Sequence, residues 1–211
     1  MKKIFLQAIF FLIVTSLFGQ KKAVTETGER VTLYNDGTWK YANDSVTEKK
    51  YLPTNPKIFK KNAGSAFLLK SSRIDVGVWL DAKKWSFKKA SMNEAAEYEL
   101  QLKGKDLYGM MITESIEIPI EALRGIAVKN AESVAPDIKV IKEEYRTVND
   151  KKILLIQMNG TTQGIKFAYY GYYYSNAKGT IQLVTYTAQN LFASYISDME
   201  DLLNGFVTVD N

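Results

Sequence analysis

The chain has 211 residues, with 28 Lys+Arg against 23 Asp+Glu and neither His nor Cys. Without Cys there are no disulfides, thiolate nucleophiles, iron–sulfur clusters or Cys-ligated zinc; without His there are no His-based triads and the commonest metal ligand is missing. Hydrophobic residues at 46% and aromatic residues at 12% suffice for a buried core and exclude wholesale disorder, so the length fits one ordinary domain, or one with a small appendage.

Lys2 and Lys3 precede an apolar run from Ile4 to Val14 that only Gln7 interrupts. Ser16 to Gly19 then supply small residues where a signal peptidase cuts. The run is too short for a membrane span, which takes roughly 18 apolar residues. The order of charge, apolar run and small residues predicts a secretory signal over 1–19, cut after Gly19 or after Ser16. The expected location is periplasmic or secreted, where ATP- or NAD-driven chemistry is not expected. No Cys follows to carry a lipid anchor, and no transmembrane segment is expected after cleavage.

Residues 22–42 predict a small β-hairpin module of two or three strands. Asn35-Asp36-Gly37 is a strong turn signal, because Gly supplies positive φ cheaply, and Val31, Leu33, Trp39 and Tyr41 alternate with polar residues. The segment Val31-x-Leu33 followed by Asp36-Gly37-Thr38-Trp39-x-Tyr41 resembles a short DGTW-type segment seen after the signal in uncharacterised secreted bacterial proteins. That resemblance implies an envelope or secreted setting, not a chemistry. Residues 43–63 lose periodicity. Pro53, Asn55-Pro56 and the lysines at 49, 50, 57, 60 and 61 read as a basic linker.

From residue 64 to 208 the pattern becomes regular. Short strands are expected at 66–70 and 75–80, a turn at 81–84, and a strand carrying Trp85 and Phe87 on one side. Over 95–103, Tyr98, Leu100 and Leu102 oppose Glu97, Glu99, Gln101 and Lys103, and 107–113 returns, giving a meander with one wet face. Pro119 opens a helix in which Ile120, Leu123, Ala127, Ala131 and Val134 recur at helical spacing, ended by Ala135-Pro136. Strands follow at 139–146, 152–158, 164–174 and 181–186, with turns expected at Asn149-Asp150, Asn159-Gly160 and Asn176 to Gly179. A final helix over 188–206, with Thr187 as its N-cap, has Leu191, Phe192, Tyr195, Ile196, Met199, Leu202, Leu203 and Phe206 on one face. The fold class is therefore α+β: a curved antiparallel sheet with helices packed on it, preceded by the small hairpin.

The closing stretch Gly179 to Ala188, then Asn190-Leu191-Phe192, Tyr195 and Asp198 to Phe206, resembles the end of PsbP-like domains, as does the Trp85 segment after the early strands. The resemblance covers about residues 64–208. That fold is shared by the photosystem oxygen-evolving subunit and a Ran-binding, Mog-type nuclear import factor. It implies an α/β/α sandwich that acts by binding other proteins, and it carries no catalytic residues across.

The strand Phe167 to Tyr174 is aromatic on both faces: Phe167, Tyr169 and Tyr173 on one, Tyr170, Tyr172 and Tyr174 on the other. Two readings stand. Either this is a central strand covered by helices on both sides, or one aromatic face meets a partner. Likewise Trp39 and Tyr41 either fill a small sheet or stack on a ligand. The candidate contact residues are Trp39, Tyr170, Tyr172 and Tyr174. Carboxylates offer a second lead. Glu97 and Glu99 share a strand face by alternation, and Glu114, Glu117 and Glu121 gather near the first helix start; acid–base hydrolysis or calcium binding would need such groups, without an EF-hand spacing here. No phosphate-binding, dinucleotide or nucleophile-elbow motif is present, and scattered Lys pairs with four Arg make a poor nucleic-acid footprint. The expectation is a non-enzymatic, cofactor-free and metal-free module that binds an envelope or secreted protein partner. The alternatives are a carboxylate-dependent hydrolase using Glu97, Glu99, Glu114 or Glu117, and a small-ligand carrier with a cavity between sheet and helix.

Overall fold

The computed structural model describes residues 21–25, 30–41, 52–91 and 93–209. The expected signal (1–19) and the first part of the expected linker lie outside the described residues. The chain divides into two compact units.

The first unit is a three-stranded antiparallel sheet in the order β1 (Lys21–Val24), β2 (Arg30–Leu33), β3 (Trp39–Tyr41). Its β2–β3 turn is held by Asp36, whose Oδ1 accepts from the Thr38 N–H at 2.9 Å and the Thr38 hydroxyl at 2.6 Å. Leu33 pairs with Trp39 and Val31 with Tyr41, which gathers the apolar side chains on one face. Val31 is buried, and the Trp39 and Tyr41 rings meet edge-on at 5.1 Å.

The second unit is built on an eight-stranded sheet in the order β4-β10-β11-β12-β13-β9-β8-β7. Its strands are β4 (Thr54–Phe59), β7 (Trp85–Lys89), β8 (Ala96–Leu102), β9 (Leu107–Glu114), β10 (Lys139–Val148), β11 (Lys151–Thr162), β12 (Ile165–Asn176) and β13 (Gly179–Ala188). The β10–β13 meander follows from its turns. Asn149 (φ 44°) with Asp150 (φ 65°), and Gln163 (φ 48°) with Gly164 (φ 78°), form two-residue hairpin loops whose twist matches the strands. All pairs in this sheet are antiparallel except β4–β10. β4 lies within the span read as linker. It escapes a sequence reading because Pro56 and a register shift break its alternation, yet its Phe59 is buried and pairs with Val148.

A small sheet, β14-β6-β5, is formed by β5 (Phe67–Lys70), β6 (Val76–Leu80) and β14 (Phe206–Thr208). With helix α2 (Phe192–Leu203) it covers one face of the large sheet. Met199, Leu202 and Leu203 of α2 meet Leu100, Met111, Ile153, Leu155, Tyr170, Tyr172 and Leu183 there. Helix α1 (Ile120–Val134) sits on the other face, placing Leu123, Ala127 and Ala131 against Leu154, Ile156, Met158, Tyr173 and Val184. The aromatic strand is thus sandwiched between helices, as its two-faced pattern allows.

The C-terminal helix is shorter than its apolar periodicity suggests. Thr187 remains in β13, paired with Ala168, and its hydroxyl bonds the Asp106 carbonyl instead of capping a helix. A single 3-10 turn at Gln189–Leu191 then leads into α2. At the other end Gly205 passes so close to Trp79 that a Cβ there would lie 1.9 Å from the Trp79 carbonyl oxygen. This close approach admits β14, where Phe206 pairs with Val78.

Candidate functional site

The expected contact residues fall into different surroundings. Trp39 is half exposed on the first unit's sheet. Tyr170 and Tyr172 are 3% and 1% exposed beneath α2, so their hydroxyls serve inward. Tyr170 donates to Glu200 at 2.9 Å and Tyr172 to the Asn204 side chain at 2.8 Å. Arg146, itself buried, donates to Glu144 (2.6 Å), Glu200 (2.9 Å) and the Tyr172 hydroxyl (3.1 Å), and lies over the Phe59 ring at 4.3 Å. Burial pushes the Tyr172 phenol up to about 12, against the pull of Arg146. Burial likewise raises Tyr170, so both stay neutral donors. Tyr174 is half-buried against the Phe206 ring at 5.2 Å. The cluster ties β4, the sheet and α2 together; it is an internal network.

Glu97 and Glu99 do not share a face. A register shift between Ala96 and Tyr98 inserts one extra residue in β8. It turns Glu97 toward Thr113, whereas Glu99 pairs across from Met110 on the opposite face. Glu97 is buried and accepts from the Ser71 hydroxyl (2.6 Å), the Ser72 N–H (2.5 Å), the Ser72 hydroxyl (2.7 Å) and the Thr113 hydroxyl (2.7 Å). Burial pulls its pKa up, but these donors outweigh burial and hold it below the ordinary carboxylate value. A carboxylate so committed is a poor general acid. Glu114, Glu117 and Glu121 are exposed, and among the described residues no three carboxylates gather as a metal site. Between α2 and the β6–β7 turn lies a cleft of about 180 Å³ bordered by Asp81, Lys84, Trp85, Asp198 and Leu202, below the ~300–1,000 Å³ of typical ligand pockets.

A larger feature lies on the α1 face. On this face the cluster under α1 takes in β11, β12, the near side of β13 and Met110 of β9, and no residue of β7 or β8 belongs to it. The registers lay side chains across the strands in rows. One row runs Ser86, Gln101, Tyr108, Tyr186, Tyr169 and Met158. The next runs Lys88, Glu99, Met110 and Val184. Met158, Val184 and Tyr169 belong with the cluster under α1, and Ser86, Gln101, Tyr108 and Tyr186 with Lys88, Glu99 and Met110 line an open groove of about 370 Å³. Its floor is aromatic: Tyr108 stacks on Tyr186 at 5.5 Å, and behind them Tyr186 meets Tyr169 edge-on at 6.0 Å, where the cluster under α1 begins. Its rim is polar, with Gln101, Asn93 and the Lys88–Glu99 ion pair at 3.0 Å. Burial raises the Tyr169 and Tyr186 phenols, which therefore remain neutral. The groove offers planar apolar contact with phenol and amide donors at its edges, a chemistry of recognition. Sequence reasoning passed over Tyr108, Met110 and Tyr186. The signal was in β9, where Tyr108, Met110 and Ile112 alternate with Leu107 and Met111, so both faces are apolar.

No protein-family model matches the chain, and no curated protein matches it significantly. Solved structures do. Cyanobacterial PsbP (CyanoP) from Synechocystis sp. PCC 6803 aligns with a TM-score of 0.52 at 10% identity, over 70% of this chain and 94% of its own. LpqN, involved in cell envelope biogenesis of Mycobacterium tuberculosis, aligns with a TM-score of 0.44 at 10% identity, over 64% and 83% of the two chains. A protein of unknown function from Pseudomonas aeruginosa, PA94, aligns with a TM-score of 0.44 at 11% identity, over 69% and 98%. At such identities the cyanobacterial match speaks to architecture alone, and it shows that this chain has a PsbP-like α+β fold.

Proposed function

We propose that this protein is an exported, non-enzymatic binding module of the bacterial envelope. It recognises a partner protein through the open half of its large sheet, with Tyr108, Tyr186 and Met110 as central contacts and Trp39 as a further contact on the first unit. The observation that carries the reading is the row Gln101, Tyr108 and Tyr186, which lies outside the cluster under α1 and lines the open groove. Aromatic side chains flanked by polar groups are the composition of interface centres. The commitment of Glu97 to four donors, and its separation from Glu99, speak against a carboxylate pair at work. Export is read from the first nineteen residues. No described helix is long and apolar enough to cross a membrane.

Photo-crosslinking in the producing cell tests the reading. A benzophenone side chain is placed at Tyr108 or Tyr186, and for comparison at Ile126, an exposed position on α1. The expected result is one recurring adduct from positions 108 and 186 that position 126 does not give. Identical adduct patterns from all three positions, or none from any, would contradict it.

A further inference from the structure

The large sheet ends in two edges of different character. β4 is blunted, since Pro56 has no N–H and the Lys57 N–H is taken by the Asn55 side chain at 3.0 Å. β7 carries neither Pro nor a bulge. Its bonding parity is fixed at both ends: the Lys103 N–H bonds the Lys84 carbonyl, and the Ala90 N–H bonds the Glu97 carbonyl. By antiparallel alternation Ser86 and Lys88 turn their backbone groups toward β8, so Trp85, Phe87 and Lys89 turn theirs outward. The Trp85 N–H is used by the Asp81 carbonyl at 2.8 Å. No bond among the described residues uses the backbone N–H or C=O of Phe87 or Lys89.

Side chains beside this edge differ by face. Phe87 is 37% exposed and stacks on Phe67, itself 42% exposed, at 5.2 Å, with Tyr98 edge-on to Phe87 at 6.4 Å. Lys89 follows on the same face at the strand's end, exposed and without a carboxylate partner among the described residues. Lys88 lies on the opposite face, paired with Glu99.

We infer that β7 accepts an extended peptide segment as an additional antiparallel strand, read as acid–x–apolar. The residue opposite Phe87 exchanges both backbone bonds with it and sets an apolar side chain against the Phe67–Phe87 stack. Two positions earlier in the peptide, an acid meets the Lys89 ammonium. The residue between them turns its backbone away and its side chain toward Lys88 and Glu99. Main-chain bonds supply the attachment, and the Phe and Lys contacts supply the selection. Lysines on an edge strand also serve to discourage pairing, and the experiment separates the two roles. The inference goes beyond the groove reading: it uses the outward backbone edge of β7 and the Phe67–Phe87 stack, and adjoins the groove at Phe87 and the Lys88–Glu99 rim.

The probe is a fluorescein-labelled peptide with the core Thr-Asp-Thr-Val-Thr, followed by fluorescence polarisation on the full chain. Saturable binding is expected. Methylating the valine amide nitrogen should weaken binding at least tenfold, whereas methylating the threonine amide between Asp and Val should change it less than twofold. Lys89→Glu should weaken the Asp peptide and favour a Lys-for-Asp peptide. Equal effects of the two methylations, indifference to the charge swap, or no saturable binding at millimolar peptide would overturn the inference. A Tyr186→Ala protein that still binds the peptide but no longer gives the groove adduct would show the two surfaces to be separate.

Discussion

The Glu97 carboxylate sits among Ser71, Ser72 and Thr113 with every bond supplied by a neutral donor. Its depressed pKa means that the ionised form is favoured in the folded state. The resulting stability is present above the ordinary glutamate pKa, 4.5, and is lost as pH falls through the lower folded value. Glu97→Gln should cost about 1–3 kcal/mol at neutral pH, because a buried acceptor is exchanged for a group with the wrong donors. Urea midpoints measured between neutral and acid pH should fall more steeply for the native chain than for the variant; parallel curves would contradict this account. Strict alternation puts Glu97 beside Glu99, and only the bulge, invisible in a lone sequence, separates them. The tyrosines behaved differently. Their division between two faces was legible from period-two alternation, but the choice between a covered strand and an exposed one was not, since it depends on where the helices land.

Elements with turn chemistry of their own were easy to read. The β10–β13 meander announces itself through Asn149-Asp150 and Asn176 to Gly179, and α1 through its apolar stripe and the Ala135-Pro136 stop. Asn159-Gly160, expected as a turn, lies inside β11, where Asn159 and Gly160 pair with Ala168 and Phe167, and the chain reverses at Gln163-Gly164 instead. β4 and β14 were not legible. One hides behind Pro56, and the other is three residues long at the end of a helical stripe whose last member, Phe206, belongs to a strand. Two glycines test these placements with opposite signs. Gly125 lies within α1 with nothing within 4 Å of an added Cβ, so Gly125→Ala should stabilise by about 0.4–1 kcal/mol. At Gly205 the added carbon would strike the Trp79 carbonyl, so Gly205→Ala should destabilise by about 3 kcal/mol or more, as β14 and α2 are forced apart from β6. Thermal midpoints of the two variants should move in opposite directions; a neutral Gly205→Ala would remove the close packing of this corner from the account.

At the scale of the molecule, one helix with a small sheet seals one face of the large sheet, and the other helix seals only part of the second. The α+β class was legible from element order, and the PsbP-like resemblance from the closing stretch Gly179 to Phe206; the half-open face was not, because sequence shows that β9 is apolar on both sides without showing how far α1 reaches. The proposed export makes a direct prediction: the mass of the protein recovered from the producing cell's envelope or medium should correspond to a chain beginning at Gln20, or at Leu17 where the cut follows Ser16, and an intact Met1 would contradict it. The central claim, that the uncovered aromatic row is a contact surface, is tested most directly by affinity. The partner recovered by crosslinking should bind a Tyr108→Ala, Tyr186→Ala protein at least about 30-fold more weakly than the native chain, the loss expected at the centre of an interface, ~2 kcal/mol. Unchanged affinity in a double variant with native thermal stability would contradict the account.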